Sequence, residues 1–251
     1  MYRFLQLFLI LLGSFSIQAQ IVNVESLRKA TDTARWSGSI GLDVGFIKNK
    51  NEVFRINNRA NVQHRIGKSM FLFINDLNFQ KLEGADFVNR GIQHLRYNYD
   101  TNSRITWELF LQGQYDAISN IDFRGLIGAG PRFKFDKLNN YKFYLGSLVM
   151  YEYEKTSEEF SEIRRDLRAS IYLAFKLFPK DNFSIASTTY FQPRLNNLDD
   201  YRLSNETSLA FKIFKDLSFK SSFILIFDRF PAFDTPKTQY ELSNGLIYSF
   251  D

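Results

Sequence analysis

The sequence predicts an all-β protein: a transmembrane, antiparallel, up-and-down β-barrel of about 12 strands. Three observations carry this reading. Apolar and polar residues alternate with a period of two over long stretches, and the alternation restarts after every short polar break. Those stretches run to roughly ten to fifteen residues, against a soluble mean of about 5–6, and a tilted strand crossing hydrocarbon needs about 9–11. An export signal precedes them.

That signal occupies residues 1–19. Arg3 supplies a positive start, Phe4 to Leu12 an apolar run broken by Gly13, and Ile17-Gln18-Ala19 a small residue at the cleavage position, leaving Gln20 as the new N-terminus. The apolar run is too short to cross about 30 Å of hydrocarbon as a helix. Residues 20–34, with Val24-Glu25-Ser26-Leu27-Arg28-Lys29, are expected to form a periplasmic N-terminal segment, either a short helix or an unstructured tail, and residues 35–251 the barrel.

Composition agrees with export. Phe occurs 27 times and Tyr 13 times, against three Met and five Pro, an enrichment in residues that suit strands. The absence of Cys removes disulfides, thiolate nucleophiles and Cys-ligated metals together. The net charge of +5 falls by one with Arg3, and the cations recur singly rather than in a block, which argues against nucleic acid as a partner.

The elements follow in order. Strands are expected near Arg35–Lys48, Glu52–Gly67, Ser69–Leu82, Arg90–Tyr99, Arg104–Ala117, Ile121–Phe135, Lys142–Glu154, Arg164–Phe178, Asn182–Leu195, Tyr201–Phe214, Leu217–Asp228 and Thr238–Phe250. In the second, Phe54, Ile56, Ala60, Val62 and Ile66 share one parity and Arg55, Asn57, Arg59, Asn61, Gln63 and Arg65 the other. The eighth sets Leu167, Ala169, Ile171, Leu173, Phe175 and Leu177 against Arg168, Ser170, Tyr172 and Lys176. Gly67-Lys68, Asp100-Thr101-Asn102, Leu138-Asn139-Asn140, Pro179 to Asn182 and Lys215-Asp216 are turn-prone, and the intervening joints tend to be longer.

Aromatic residues mark both rims. Phe46, Phe54, Phe79, Tyr115, Tyr153, Phe191, Tyr201 and Phe227 fall where an outer girdle is expected, and Trp36, Trp107, Tyr97, Tyr99 and Phe143 where an inner one is. The last strand carries Tyr240, Leu242, Leu246, Tyr248 and Phe250 on one parity, which resembles the C-terminal insertion signal of bacterial outer-membrane barrels, although Asp251 follows the aromatic. Outer-membrane lipid and the barrel-assembly machinery, the latter through the strand ending at Phe250, are the partners this implies.

Trp36-Ser-Gly-Ser-Ile-Gly-Leu-Asp43 and Arg124-Gly-Leu-Ile-Gly-Ala-Gly-Pro-Arg-Phe-Lys-Phe135 resemble the family of salt-induced outer-membrane proteins, a Bacteroidetes-like outer-membrane β-barrel domain of unknown function. The resemblance implies a barrel in the outer membrane of a Gram-negative bacterium. It transfers no catalytic or binding residue.

Motifs that suggest chemistry dissolve in context. Gly125, Gly128 and Gly130 sit within a strand pattern rather than opening a helix, so they read as a bend, a bulge or a tightly packed wall and not as a phosphate loop. Asn205-Glu206-Thr207 is a glycosylation sequon inside a predicted strand. His64 falls on the lipid-facing parity, and His94 on the polar parity beside Arg96. With only these two histidines, and no His-x-Ser or Gly-x-Ser-x-Gly context, neither an enzyme nor a metal or cofactor site is expected.

The strongest signal is a charge ladder facing the lumen. Even-numbered strands present Arg55, Arg59, Arg65, Arg96, Arg124, Arg132, Arg168, Arg202 and Lys212; odd-numbered ones present Asp43, Asp76, Glu108, Asp116, Glu152 and Glu154. One reading is an ion-paired filling that rigidifies an envelope-structural barrel. The other is a narrow passive pore for small solutes, with the excess Arg favouring anions. A ligand-binding or adhesive surface barrel is the alternative, ahead of a lipid-modifying enzyme.

Overall fold

The computed structural model describes residues 35–48, 52–82, 85–117, 119–135, 141–157, 163–232 and 235–248. The expectations for the export signal, for residues 20–34 and for Phe250 lie outside the described residues.

Twelve strands follow one another as β1 (Trp36–Lys48), β2 (Glu52–Ile66), β3 (Ser69–Leu82), β4 (Ala85–Asp100), β5 (Ile105–Asp116), β6 (Ile121–Lys134), β7 (Tyr141–Thr156), β8 (Ile163–Lys180), β9 (Phe183–Arg194), β10 (Asn197–Lys212), β11 (Leu217–Asp228) and β12 (Thr238–Tyr248). Each pairs antiparallel with the next in a single sheet, and the sheet curls until β12 comes near β1, with no ladder between those two strands among the described residues. The start of β1 and the end of β12 share one end of the molecule, called proximal here. The opposite end is distal.

Pairing, not alternation, decides where strands begin. β4 starts at Ala85 rather than Arg90 because Val88 and Phe87 continue the ladder opposite Gln80 and Lys81. Likewise β10 starts at Asn197, opposite Arg194. The distal connections at 83–84 and 195–196 are therefore as short as the proximal ones at 67–68 and 181–182; the distal 157–162 matches the proximal 135–140, and greater distal length is confined to 229–237. The proximal turn after β2 uses Gly67 at φ 55° and the distal connection after β5 uses Asn120 at φ 53°, the two residue types that tolerate the left-handed region best.

The two faces are inverted relative to a soluble domain. Trp36, Phe71, Phe73, Leu95, Trp107, Leu109, Leu111, Ile127, Val149, Leu167, Leu173 and Phe223 are exposed on the convex side. Asn61, Gln63, His94, Arg96, Glu108, Arg124, Glu152, Arg168 and Arg202 are buried on the concave side. In water this arrangement would leave the apolar surface of nearly every strand wet, whereas hydrocarbon suits that face. Aromatic rings mark both rims: Phe191, Tyr201 and Phe227 follow one another distally at 5.6 Å between centroids, and Trp36 stacks on His64 at 3.9 Å proximally.

Two convex patches are polar at mid-strand, and each is satisfied sideways. Gln93 donates to Asn75 (3.3 Å), which donates to Asn58 (2.7 Å). Asn205 donates to Thr189 (2.8 Å) and Ser187 (3.2 Å), and Thr207 donates back to Asn205 (3.0 Å). An amide or hydroxyl facing hydrocarbon is tolerable only when its hydrogen bonds are made locally.

The concave side is not uniformly polar. Phe110, Tyr144, Leu148, Met150, Tyr172 and Tyr190 form one buried cluster there, and Leu72, Ile74 and Ile92 a second. The inward apolar residues were not expected from the charge ladder; a narrow interior must be filled to close-packed density, and charge alone cannot fill it. Gly146 makes the room: a Cβ there would run into the Tyr172 ring.

Two outcomes test this arrangement. Trp36 and Trp107 are the only tryptophans, and both face outward, so lipids brominated in their acyl chains should quench most of the protein's fluorescence in vesicles; unquenched emission would contradict the facing. Gly146→Ala should lower stability by about 1–3 kcal/mol through overpacking against Tyr172, as read from urea unfolding in lipid. Gly245→Ala, with nothing within 4 Å, should be near neutral.

Candidate functional site: an ion-paired lumen

Alternation turns every second residue of β6 to β11 inward, and register decides which of them meet. Glu152 and Glu154 point in from the distal half of β7, opposite Asp166 and Arg164 of β8 and Leu126 and Arg124 of β6. Glu152, 1% exposed, receives Arg202 of β10 at 2.7 and 2.8 Å and lies 3.3 Å from Arg168 Nε. Glu154, also 1% exposed, is held by Arg124 in close contact and by Arg202 Nη2 at 3.1 Å. Arg202 Nε donates onward to Asp228 of β11 at 2.7 Å.

The same network extends through β8 to β10. Arg168 reaches Asp200 at 2.9 Å and Asp166 at 3.6 Å, and Arg194 bridges the same two carboxylates at 2.6 Å to Asp166 and 3.4 Å to Asp200. Arg124, Arg168, Arg194 and Arg202 thus face Glu152, Glu154, Asp166, Asp200 and Asp228. Burying one such charge alone would cost several kcal/mol, so the tier holds together because each guanidinium spans two or three carboxylates.

A smaller tier lies toward the proximal end. Glu108 of β5 receives Tyr172 Oη at 2.8 Å, Arg96 at 3.0 Å and Asn98 at 3.3 Å, with Arg132 Nε at 3.9 Å. Arg132 also lies over the Tyr144 ring at 3.7 Å. Arg96 Nε donates to His94 Nε2 at 3.3 Å, which places the His94 proton on Nδ1, where it is donated to Gln112 Oε1 at 2.9 Å. Between the tiers, Phe110, Leu148, Met150, Tyr172 and Tyr190 close together around a cavity of about 30 Å³, room for about two waters.

Of the residues singled out in sequence, Arg96, Glu108 and Arg132 meet in the proximal tier, and Arg124, Arg168, Arg202, Glu152 and Glu154 in the distal one. Arg59 pairs with Asp76 at 2.9 Å while remaining half exposed. Arg65 pairs with Asp100 at 2.8 Å near the proximal rim, and Asp116 accepts from Ser119 at the distal end of β5. Lys212 has inward parity but lies exposed at the proximal end of β10. The side chains of Asp43 and Arg55 lie outside the described residues.

Assigning cations to even strands and carboxylates to odd ones fails at β8 and β10, which carry Asp166 with Arg168 and Asp200 with Arg202. Asp166, Asp200, Asp228 and Arg194 were missed, as was the inward pair of Glu206 and Lys220 at 3.5 Å. The signal was available in parity: Asp166 and Asp200 each stand two residues from an inward Arg. His64 stacks on Trp36 and its Nδ1 lies 2.9 Å from the Arg35 carbonyl, on the outer face. No group of three or more metal-ligating residues occurs among the described residues.

Residues 45–250 match the model of a family described as protein of unknown function, DUF481. No curated protein matches the chain. Among solved structures it is similar to the NanC porin, with a TM-score of 0.51 and 11% identity over 83% of this chain and 99% of that one. It is also similar to the translocator domain of the autotransporter NalP from Neisseria meningitidis, with a TM-score of 0.51 and 8% identity over 85% and 87% of the two chains. At these identities the likeness is one of fold.

Removing one partner from the distal tier leaves buried charge uncompensated. Glu152→Ala should therefore cost about 3–5 kcal/mol in urea unfolding, whereas Arg59→Ala, which breaks a half-exposed pair, should cost about 1 kcal/mol or less. Equal effects would contradict the burial difference.

Proposed function

We propose, for a chain that belongs to the DUF481 family of proteins of unknown function, that it is an outer-membrane barrel of a Gram-negative envelope whose lumen is closed at rest. Residues 1–19 export it, the convex face meets lipid, and the C-terminal strand ending at Phe250 engages the assembly machinery. The fold shared with a porin and the likeness of Trp36–Asp43 and Arg124–Phe135 to salt-induced outer-membrane proteins support this placement.

One observation carries the closed state: Glu152 and Glu154 are locked among Arg124, Arg168 and Arg202, directly above the Leu148, Met150 and Tyr172 layer. A passive pore keeps its charges wet and its axis open. Here the charges are buried against one another, and residues of the connection 229–237 lie over them, where Pro231, Ala232 and Thr235 share a cavity of about 30 Å³ with Arg124, Glu154 and Arg202. The role this fits is an envelope-structural barrel, and passage of a solute requires the distal tier to part. Because the tier is close to charge-balanced, anion preference appears only when carboxylates are lost. Catalysis forms no part of the proposal.

In planar bilayers the protein should show no sustained conductance at neutral pH. Replacing Glu152 and Glu154 together with Ala leaves three guanidiniums facing each other and should produce openings with anion preference. Steady conductance of the unaltered protein would overturn the closed reading.

A further inference from the structure

A large concavity lies outside the barrel, on the lipid-facing wall of β3 to β7. Three outward positions in adjacent strands are glycines paired in register or beside one another: Gly91 opposite Tyr115, and Gly113 opposite Gly125. The Tyr115 ring covers Gly91, and Phe123 leans over Gly125, but Gly113 is met only at ordinary contact distance, 3.7 Å. Beside these rings the wall is hollow. A groove of about 510 Å³ runs there, lined by Phe73, Leu95, Leu111, Ile127, Tyr151 and Tyr153 with Gly113 and Gly125 as its floor. That volume falls within the range of about 300–1,000 Å³ typical of small-molecule sites.

The groove has a direction. Its deep end is apolar and bounded by Gln93, whose amide is engaged with Asn75. Its distal end is closed by Phe123 and Tyr153, 6.3 Å apart between ring centroids, and immediately beyond them stand two cations. Lys155 is the register partner of Phe123, and Arg165 that of Tyr153. Arg165 is exposed on the outward parity, and Lys155 makes only a half-exposed pair with Asp122 at 3.2 Å. Hydrocarbon-lined wall, aromatic collar and basic rim succeed one another in the order of acyl chain, linkage and phosphate in an anionic lipid.

We propose that this groove is a binding site for a single anionic lipid, one acyl chain lying over Gly113 and Gly125 and the phosphate against Lys155 and Arg165. Charge complementarity selects this occupant over a second copy of the chain: the described rim beside the groove sets Arg165 and Lys155 against one carboxylate, Asp122, and a symmetric contact would bring that net positive charge against itself. The proposal rests on the convex face meeting lipid, but not on the lumen being closed.

Native mass spectrometry of the mature protein released from detergent, with dioleoyl phosphatidylglycerol or dioleoyl phosphatidylcholine added, tests it. The expected result is one retained phosphatidylglycerol per barrel, preferred over phosphatidylcholine by about fivefold for each cation. Arg165→Gln with Lys155→Gln should erase the preference while keeping chain-dependent retention. Gly113→Leu, where a Cβ meets only ordinary contact, should reduce retention of both lipids, with heat-modifiable migration verifying that the variant folds. Glycerol phosphate without chains should not compete. Equal retention of both lipids by the unaltered protein, unchanged retention in folded Gly113→Leu, or a protein dimer in place of the lipid adduct would overturn the proposal. A water-soluble protein that needs no detergent would instead sink the membrane placement itself, and conductance leaves the lipid site untouched.

Discussion

An inward-facing charge in a barrel this narrow has no bulk water to return to, and the interior is organised around that constraint. Each buried guanidinium must find carboxylates on neighbouring or facing strands, which is why Arg202 reaches from β10 to Glu152 and Glu154 on β7 as well as to the adjacent Asp228. Contacts that cross the lumen tie together strands the backbone ladder does not. The ladder makes a sheet; ion pairs across its concave face hold that sheet at one curvature.

Alternation made the faces legible, and it did so reliably for β2 and β8, where Asn61 and Gln63, or Arg168, Ser170 and Tyr172, are buried on the parity read as polar. What alternation lacks is height. Parity says that Glu108 and Glu152 both point inward, but only strand register says that one meets Arg96 and Tyr172 proximally while the other meets Arg202 and Arg168 distally. Lys212 shows the same limit: its parity is right, but it lies at the end of β10, beyond the filled part of the interior. The apolar layer was missed for a related reason. Leu148 and Met150 share parity with Glu152 and Glu154 on β7, and an inward apolar residue looks like a flaw in the pattern until its neighbours across the lumen are known.

Glycine carries two opposite meanings within a few residues of β6. Gly125 faces outward and leaves a hollow in the wall, whereas Gly128 and Gly130 face inward, where a Cβ would collide with Phe110 or with the backbone at Ser147 and Leu148. The first position admits a side chain only if the Phe123 ring, 3.1 Å from where a Cβ would stand, gives way; the second pair permits close approach of β5 and β7 around the filled interior. A glycine in a strand therefore has to be read from what stands beside it: in β6 the inward pair marks tight packing of the interior, and the outward one lies under an aromatic ring beside a hollow.

The chain's net charge of +5 finds its place once the interior is counted. The distal tier sets four arginines against five carboxylates, counting those named above, so the lumen is not the source of the excess. Lys68, Arg104, Lys180 and Lys215 instead lie exposed in or beside the proximal turns, where they outnumber the neighbouring Asp181 and Asp216, and Arg165 is exposed on the distal rim. Those are the levels at which a barrel meets lipid headgroups, where each cation near an anionic surface contributes about 1 kcal/mol of attraction. A basic isoelectric balance in such a barrel thus reports on its two rims, and the selectivity of its lumen has to be judged from which inward charges already have partners.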